Sequence, residues 1–464
     1  MKFRRQLLRF GLTTLVPFGA IFLILYLLQF FARGFGDPIC DWSLTVQSWE
    51  DRNADGIHQD GEPPLENIAI STTMTYGNNV DKIPGIGGTD QEGQLLLMDR
   101  PLGYCPREMK VAAYAPIGYI PTTPDPIEVT SQSTTSIGFG FRLPPGSTPI
   151  VARTGIAQCS DDSFRYSGAV TGAVVSSNGD IWITSGGGVT LRRGEKDYSQ
   201  DIDYFGSYAA DIAAAPDGSI WVAGGMRAGV AHFNGTSWKT YTTEYGALPS
   251  NDVSHVAVTR DGHVWALTSA GLADFNPVSG RWRNQSFLGN GFLLLSSPDG
   301  EMWLVDHDTL TRFQSQLPGD AVQRIQVKLD TVASVEIRNA TVAPDGSVWL
   351  VGRADEWPMV AHYDPATEGW TNYTYLTTLG SMPLDIPNSI GVLPDGSALV
   401  ALNTRGAIRL IPDTRPEDAI WMTYRTLQEY EQSGSISMLS IISQNEVWFS
   451  CGGFGHVLTC KIDD

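Results

Sequence analysis

The sequence holds no Cys-x-x-Cys pair and no His/Cys spacing suited to structural zinc, which excludes a zinc-stapled domain. It also lacks G-x-S-x-G, H-E-x-x-H, a Walker loop and a G-x-G-x-x-G opening a helix, so no familiar catalytic motif is written in it. Positive charge is scarce: 31 Lys and Arg stand against 50 Asp and Glu, a net −19. Residues 1–36 contain five cations (Lys2, Arg4, Arg5, Arg9, Arg33) and no anion, so the remainder is more acidic still. Such a body repels nucleic acid, and a DNA- or RNA-binding role is excluded. Long apolar runs are absent except for one, and a hydrophobic content of 42% excludes both global disorder and a polytopic membrane protein. What is abundant is 49 Gly, 27 Pro and 10% aromatics, a mixture that suits short strands and turns rather than a helix bundle. At 464 residues, two or more domains are expected.

The single apolar run, residues 11–31, is uncharged and long enough to cross a bilayer as a helix. Four cations precede it and one follows, which by the positive-inside bias sets residues 1–10 in the cytoplasm. The alternative is a cleaved signal peptide, but the run is long for one and no small-x-small site follows it. The expectation is a single-pass cell-membrane protein with its bulk extracellular or periplasmic. Five cysteines, Cys40, Cys105, Cys159, Cys451 and Cys460, all follow this segment, where disulfides are permitted. Cys40 can pair with Cys105, and Cys159 with Cys451 or Cys460; the alternative is that all are small buried residues.

Over residues 37–147 a β-sandwich module is expected. Ser43–Trp49 alternates in polarity as a strand does, and Leu65–Ile70 has the look of another. Between them, Asp51 to Glu62 fits D-x-[DN]-x-[DN]-G-x5-E at every specified position. A hard cation needs several oxygens from one compact loop. Asp51, Asn53 and Asp55 would give side-chain oxygens, Ile57 its carbonyl and Glu62 two more, with Gly56 making the sharp turn. A Ca2+ site is therefore expected; a merely solvated Asx-rich turn is the alternative. Strands on both sides are unlike an EF-hand. The run from Trp49 to Ile70, with Thr89–Leu95 and Ala115–Pro124, resembles the B-like modules of serine-aspartate repeat surface proteins. That resemblance implies a calcium-stabilised β-sandwich serving as a rigid spacer. Residues 71–104 depart from the family's pattern.

Residues 148–464 repeat a unit of apolar strand followed by (P)-D-G-x-x-W. Its key positions are Trp182, Trp221, Trp265, Trp303, Trp349, Leu399 and Trp448, about 45 residues apart, the period of a four-stranded propeller blade. A second set, Trp238, Trp282, Trp370 and Trp421, follows at a fixed remove. Indoles so regularly placed are packing between blades. Each D-G marks the tight turn between a blade's first two strands. The predicted architecture is all-β: an N-terminal transmembrane helix, a β-sandwich, then a seven-bladed β-propeller. The last unit has room for three strands, so residues near 148–157 are expected to supply its fourth and bring Cys159 near Cys460. The unit, clearest in Asp261–Leu272, resembles the propeller repeats of periplasmic two-component sensors and of the streptogramin (virginiamycin B) lyase family. The further domain, membrane helix and kinase that normally follow in the sensors have no counterpart in this sequence.

No catalytic constellation emerges. His232 and His362 share one repeat position with Asp274, Arg312 and Arg409, which reads as the wet face of a strand. Lyase-type catalysis needs a His beside a carboxylate in the central cleft, and His307 next to Asp306 is the best candidate. A bound ligand is expected at the end of the ring where each blade's second and third strands are joined. Met226, Arg227, Asp306, His307, Arg353, Asp355, Trp357, Arg405 and Phe454 lie there, with Trp357 outside both Trp series and therefore a candidate for recognition. The favoured expectation is recognition of an extracellular protein, peptide or glycan; a propeller lyase or hydrolase and a structural envelope component are the alternatives.

Overall fold

The structure is a computed structural model that describes residues 43–463 except 77–78, 99–105, 116–117, 131–133, 147–152, 162–165, 203–207, 245–247, 286–290, 315–321, 330–333, 356, 379–381, 404–405, 425–435 and 452–455. The predicted segments 1–10 and 11–31, with Cys40, Cys105, Arg405 and Phe454, lie outside the described residues. Among the described residues no helix is long and apolar enough to cross a membrane. The chain divides into two compact units, the first ending at Arg142 and the second running Leu143–Asp464 with Ala115–Tyr119.

The first unit contains two four-stranded sheets. One orders Gln94–Met98, Ser43–Glu50, Ser136–Arg142 and Ile120–Pro121; the other orders Asn79–Gly88, Ala69–Tyr76, Glu108–Tyr114 and Ile127–Val129. Ser43–Glu50 and Glu108–Tyr114 alternate buried and exposed side chains, so each sheet has one face in the core. Leu44, Val46, Val111, Phe139 and Phe141 fill that core. The strand expected from Leu65 begins instead at Ala69. Leu65 is held by its amide on the Ser48 carbonyl, and Asn67 adopts a left-handed φ of 63°, which ends any extended run there.

Among the described residues the second unit has seven sheets, antiparallel and in chain order from the first strand outward except where Arg153–Thr154 and Ile156–Asp161 add as outermost strands. The first strands are Val170–Val175, Asp211–Ala214, Val253–Val258, Leu293–Ser296, Val335–Val342, Pro387–Val392 and Ile436–Ile441. Each touches the next, and Val170–Val175 touches Ile436–Ile441, so the sheets form a closed ring of seven blades. All six indoles of the repeat are at most 3% exposed, and Leu399 is fully buried. Indoles meet aromatics across blade boundaries: Trp182 with Trp238 at 5.9 Å, Trp221 with Trp282 at 6.1 Å, Trp303 with Tyr363 at 6.0 Å and Tyr373 with Trp421 at 6.2 Å, all edge-to-face. The Gly of each D-G turn has positive φ, from 83° at Gly262 to 91° at Gly300, as a tight turn between first and second strands requires.

The ring is closed by Ile156–Asp161, which adds antiparallel to His456–Asp463 as the outer strand of the last blade. The closing strand thus begins at the end of the segment expected for it and brings Cys159 to Cys460 as expected. Residues Arg153–Thr154 do something unforeseen: they run parallel to Ile420–Tyr424 and make a fifth strand on blade six. Gly155 allows this crossing, since a side chain there would collide with the Tyr424 ring. Cys159 and Cys460 face each other in the closing register and form a disulfide, which ties the closing strand to the last blade. Cys451 is buried one strand further in and takes no part in that bridge.

Candidate functional site

In the first unit the Asp51–Glu62 loop is wound by its own Asx contacts. Asp51 accepts the Gly56 amide at 2.8 Å and the Asp55 amide at 3.3 Å; Asp55 accepts the Ile57 amide at 2.9 Å. Ala54, Gly56 and Gly61 are left-handed, with φ of 62°, 75° and 95°. Glu62 turns back so that its two oxygens accept the Arg52 and Gln59 amides. The side-chain amides of Asn53 and Gln59 both donate to Asp55 Oδ2, at 3.0 and 2.5 Å. Asp51 is fully buried; burial raises its carboxyl, but the Thr122 hydroxyl and the Gly56, Ala54 and Asp55 amides outweigh this and hold it below the usual carboxylate range. His58 stacks on Trp49 at 5.1 Å. A hard cation at this loop would have to displace the two side-chain amides that cover Asp55 Oδ2. Among the described residues, no three His, Cys, Asp or Glu side chains gather as a metal cage.

The predicted ligand-face residues divide. Met226 and Arg227 form the tip between strands two and three of blade two. Met226 is 86% exposed, and Arg227 holds a φ of 66° while its amide donates to Asp252 Oδ1 at 2.8 Å. Asp355, at the same end of blade five, is also left-handed, at φ 52°, and is fixed by the Ser334 backbone and hydroxyl. A bulky residue with positive φ costs energy, so both tips are held by their surroundings. Trp357, a recognition candidate whose alternative was a loop folded on its own blade, is buried on Tyr375 at 5.6 Å and lines a small cleft with Trp370. Arg353 pairs in the strand ladder opposite Pro358 and Glu336. His307 and Asp306 do not form an imidazole–carboxylate pair: Asp306 accepts the His307 backbone amide at 2.8 Å, and the imidazole stacks on Phe292 at 5.4 Å.

A His–carboxylate pair does exist elsewhere. His255 Nδ1 lies 3.2 Å from Asp211 Oδ2, joining the innermost strands of blades two and three, with both side chains about one quarter exposed. Sequence reasoning missed it because the two residues are far apart in the chain and belong to different repeats. A signal was present, since both occupy first strands, which line the axis. The same Asp211 oxygen accepts the Val256 amide at 3.1 Å. First strands carry a bulge near this end, at 170/172, 253/255, 337/339, 387/389 and 436/438. A bulge frees backbone groups from the ladder. Side chains also bond backbone groups of the adjacent blade at this end: Thr171 donates to the Ala209 carbonyl, Asn388 to the Ile436 carbonyl, and Ser389 accepts the Leu439 amide. Asp211 is therefore both an inter-blade hook and the partner of His255.

The repeat position shared by His232, Asp274, Arg312, His362 and Arg409 is not a wet face. Each side chain lies cross-strand from the repeat's Trp or Leu399. His232 stacks on Trp221 at 3.9 Å and His362 on Trp349 at 4.5 Å. Asp274 is fully buried on Arg283 and Gln285, and Arg409, 3% exposed, binds Asp395 and Ser397. Arg312 holds Glu301 bidentately at 2.6 Å. Burial lowers the pKa of both histidines, with Asp217 and Asp345 opposing, so they are neutral at pH 7. Polarity marked this position as exposed; stacking on the indole and pairing with acids of the adjacent turn let it be buried.

Comparison with protein-family models and with curated proteins finds no match. Among solved structures, virginiamycin B lyase from Staphylococcus aureus, inactivated by a His-to-Ala substitution and bound to quinupristin, superposes with a TM-score of 0.52 at 12% identity, over 66% of this chain and 99% of that one. A structure of YCF48 bound to D1 peptide gives 0.51 at 14% identity, over 68% of this chain and all of that one. At such identities the likeness is one of fold, and it agrees with the seven-sheet ring: residues 143–464 form a β-propeller.

Proposed function

We propose that this is a membrane-tethered recognition protein: residues 11–31 anchor it, a calcium-loaded sandwich of the serine-aspartate repeat B-like kind spaces it from the surface, and the propeller presents a binding face to an extracellular protein or peptide. The observation that carries this reading is the blade-two tip, where an apolar side chain projects into solvent beside an arginine held in a strained, pre-organised conformation. Exposed apolar groups next to Arg on a rigid support are the usual anchors of protein interfaces, and pre-organisation lowers the entropy cost of binding. The peptide-bound state of YCF48 supports the peptide class. Asp51, Asn53, Asp55, the Ile57 carbonyl and Glu62 would hold the calcium, which stiffens the spacer and takes no part in recognition. The test is capture from native cell envelope by the full chain and by Arg227→Glu. A partner captured by the first and lost by the second, at equal thermal stability, supports the reading; equal capture by both overturns it.

A second reading, a propeller lyase, is favoured by His255–Asp211, a partly buried imidazole–carboxylate pair on strands that line the axis. An imidazole oriented by a carboxylate within hydrogen-bond reach is the arrangement that general acid–base chemistry uses. Turnover abolished by His255→Ala in a substrate screen would support it, and turnover unaffected by that change would remove the pair.

A further inference from the structure

Blades two and five share a constellation on their inter-blade face. Trp221, His232 and Tyr241 in one correspond by register to Trp349, His362 and Tyr373 in the other, with Asp217 and Asp345 at the adjoining turns. In blade two the neighbouring blade covers the set. Phe275 sits 5.1 Å from Trp221 and 5.5 Å from Tyr241, and Trp282 sits 6.1 and 5.8 Å from the same rings. In blade five Trp421 still meets Tyr373, but Leu410 holds the register position of Phe275. The connection after it runs over 412–419, against 277–280 in blade three. A cleft of about 820 Å³ is left open between blades five and six, on the side of the D-G turns and away from the face proposed above.

This cleft is chemically specific. Tyr373 lines it, is 1% exposed, and its hydroxyl has no hydrogen-bond partner among the described residues. Burial, reinforced by the charge of Asp413, pushes that hydroxyl up to about 12, so it stays protonated and keeps lone pairs to offer. Asp345, Asp395 and Asp413 also line the cleft. Asp395 is met by Arg409, but the hydrogen bonds of Asp345 come from Ser347, and those of Asp413 from Thr414. Arg415, the cation next along the chain, pairs with Asp418 and Glu417. The acids do not gather closely enough for a metal. Pro344, Pro394 and Pro412 stiffen the walls. Negative charge spread around a roomy cleft, with a buried acceptor at its base, suits a multi-donor cation larger than a metal ion.

We infer that the cleft between blades five and six binds an organic cation, a primary ammonium or guanidinium, through the Tyr373 hydroxyl and the Asp345 and Asp413 carboxylates. The cation is either a free small molecule or a basic side chain of a peptide. Titration calorimetry on the full chain with agmatine, with a capped Ala-Arg-Ala peptide and with a neutral disaccharide separates these. Both cations are expected to bind and the sugar to give no heat. Equal affinity for the two assigns a small cation, and a peptide tighter by about tenfold assigns a basic side chain. Tyr373→Phe is expected to weaken binding about fivefold and Asp413→Asn about tenfold or more, as for a neutral and a charged hydrogen bond. Tyr241→Phe, in the covered counterpart, should leave affinity unchanged. Asp413 is exposed, so its variant carries the test should the Tyr373 variant fold poorly. Absence of heat with either cation, sugar binding as tight as theirs, or unchanged affinity in Asp413→Asn would overturn the assignment.

Discussion

Replacing Trp303 by Ala tests the packing logic at its most buried point. The indole is fully buried, meets the Tyr363 ring of the next blade at 6.0 Å, and has the Arg312 guanidinium over it at 5.6 Å. Its Nε1 has no hydrogen-bond partner among the described residues, so truncation loses packing without orphaning a polar contact. Removing a buried indole leaves a cavity lined by Val305, Ile337 and Leu350, which the closed ring cannot collapse. Large-to-small changes of this kind cost about 3–5 kcal/mol. Spread over a unit the size of residues 143–464, that cost lowers the melting temperature by about 6 °C. Trp238, half-buried on the ring's outer strand, should lose roughly half as much on the same change. Calorimetry on both variants reads the two shifts. A Trp303→Ala shift under about 2 °C, or one smaller than that of Trp238→Ala, would refute the claim that the repeat's indoles wedge the blades together.

Calcium added to chelated protein is expected to raise the melting of the first unit by up to about 3 kcal/mol at a hundredfold excess over Kd, and Glu62→Ala to abolish the gain; a melt blind to chelator removes the metal. His232 and His362 have folded pKa values below their ordinary 6.5, so the unfolded chain binds protons more readily. Their contribution is therefore complete above about pH 6.5 and falls as pH drops through the lower, folded values. Urea midpoints measured from pH 7.5 to 5 should decline, and less steeply in the His232→Gln, His362→Gln double variant. Asp211→Ala should destabilise the ring by about 1–3 kcal/mol through the orphaned Val256 amide, while Asp211→Asn, which keeps an acceptor, should recover much of it in a chemical melt.

Much of the ring was legible because one residue type repeats at one structural position. Trp182 to Trp448 are spaced by the length of a blade, and the D-G turns fix where first and second strands meet. The turn at Asp51–Glu62 was readable for a similar reason, since its Asx and Gly residues sit at fixed spacing and Ala54, Gly56 and Gly61 take the left-handed backbone such a turn needs. What escaped are features set by tertiary contact. Trp357 lies outside both Trp series, yet Tyr375 covers it; periodicity says nothing of a stacking partner supplied by the next strand. His232 and Arg409 were polar and therefore looked wet, although stacking and ion pairing make burial tolerable. His255 meets Asp211 only because the blades curve round an axis, which also brings the Val256 amide of the next blade onto the same carboxylate. The closing strand lay a few residues later than expected because Arg153–Thr154 is taken by blade six.

The propeller reading presumes a ring whose last blade takes Ile156–Asp161 as its outer strand. Mass-spectrometric mapping of a non-reduced digest of the full chain tests this, because Cys159 can reach Cys460 only if Ile156–Asp161 lies against His456–Asp463. A cross-linked peptide containing Cys159 and Cys460 is predicted. A Cys451–Cys460 link, or Cys159 recovered as a thiol, would contradict the closed propeller.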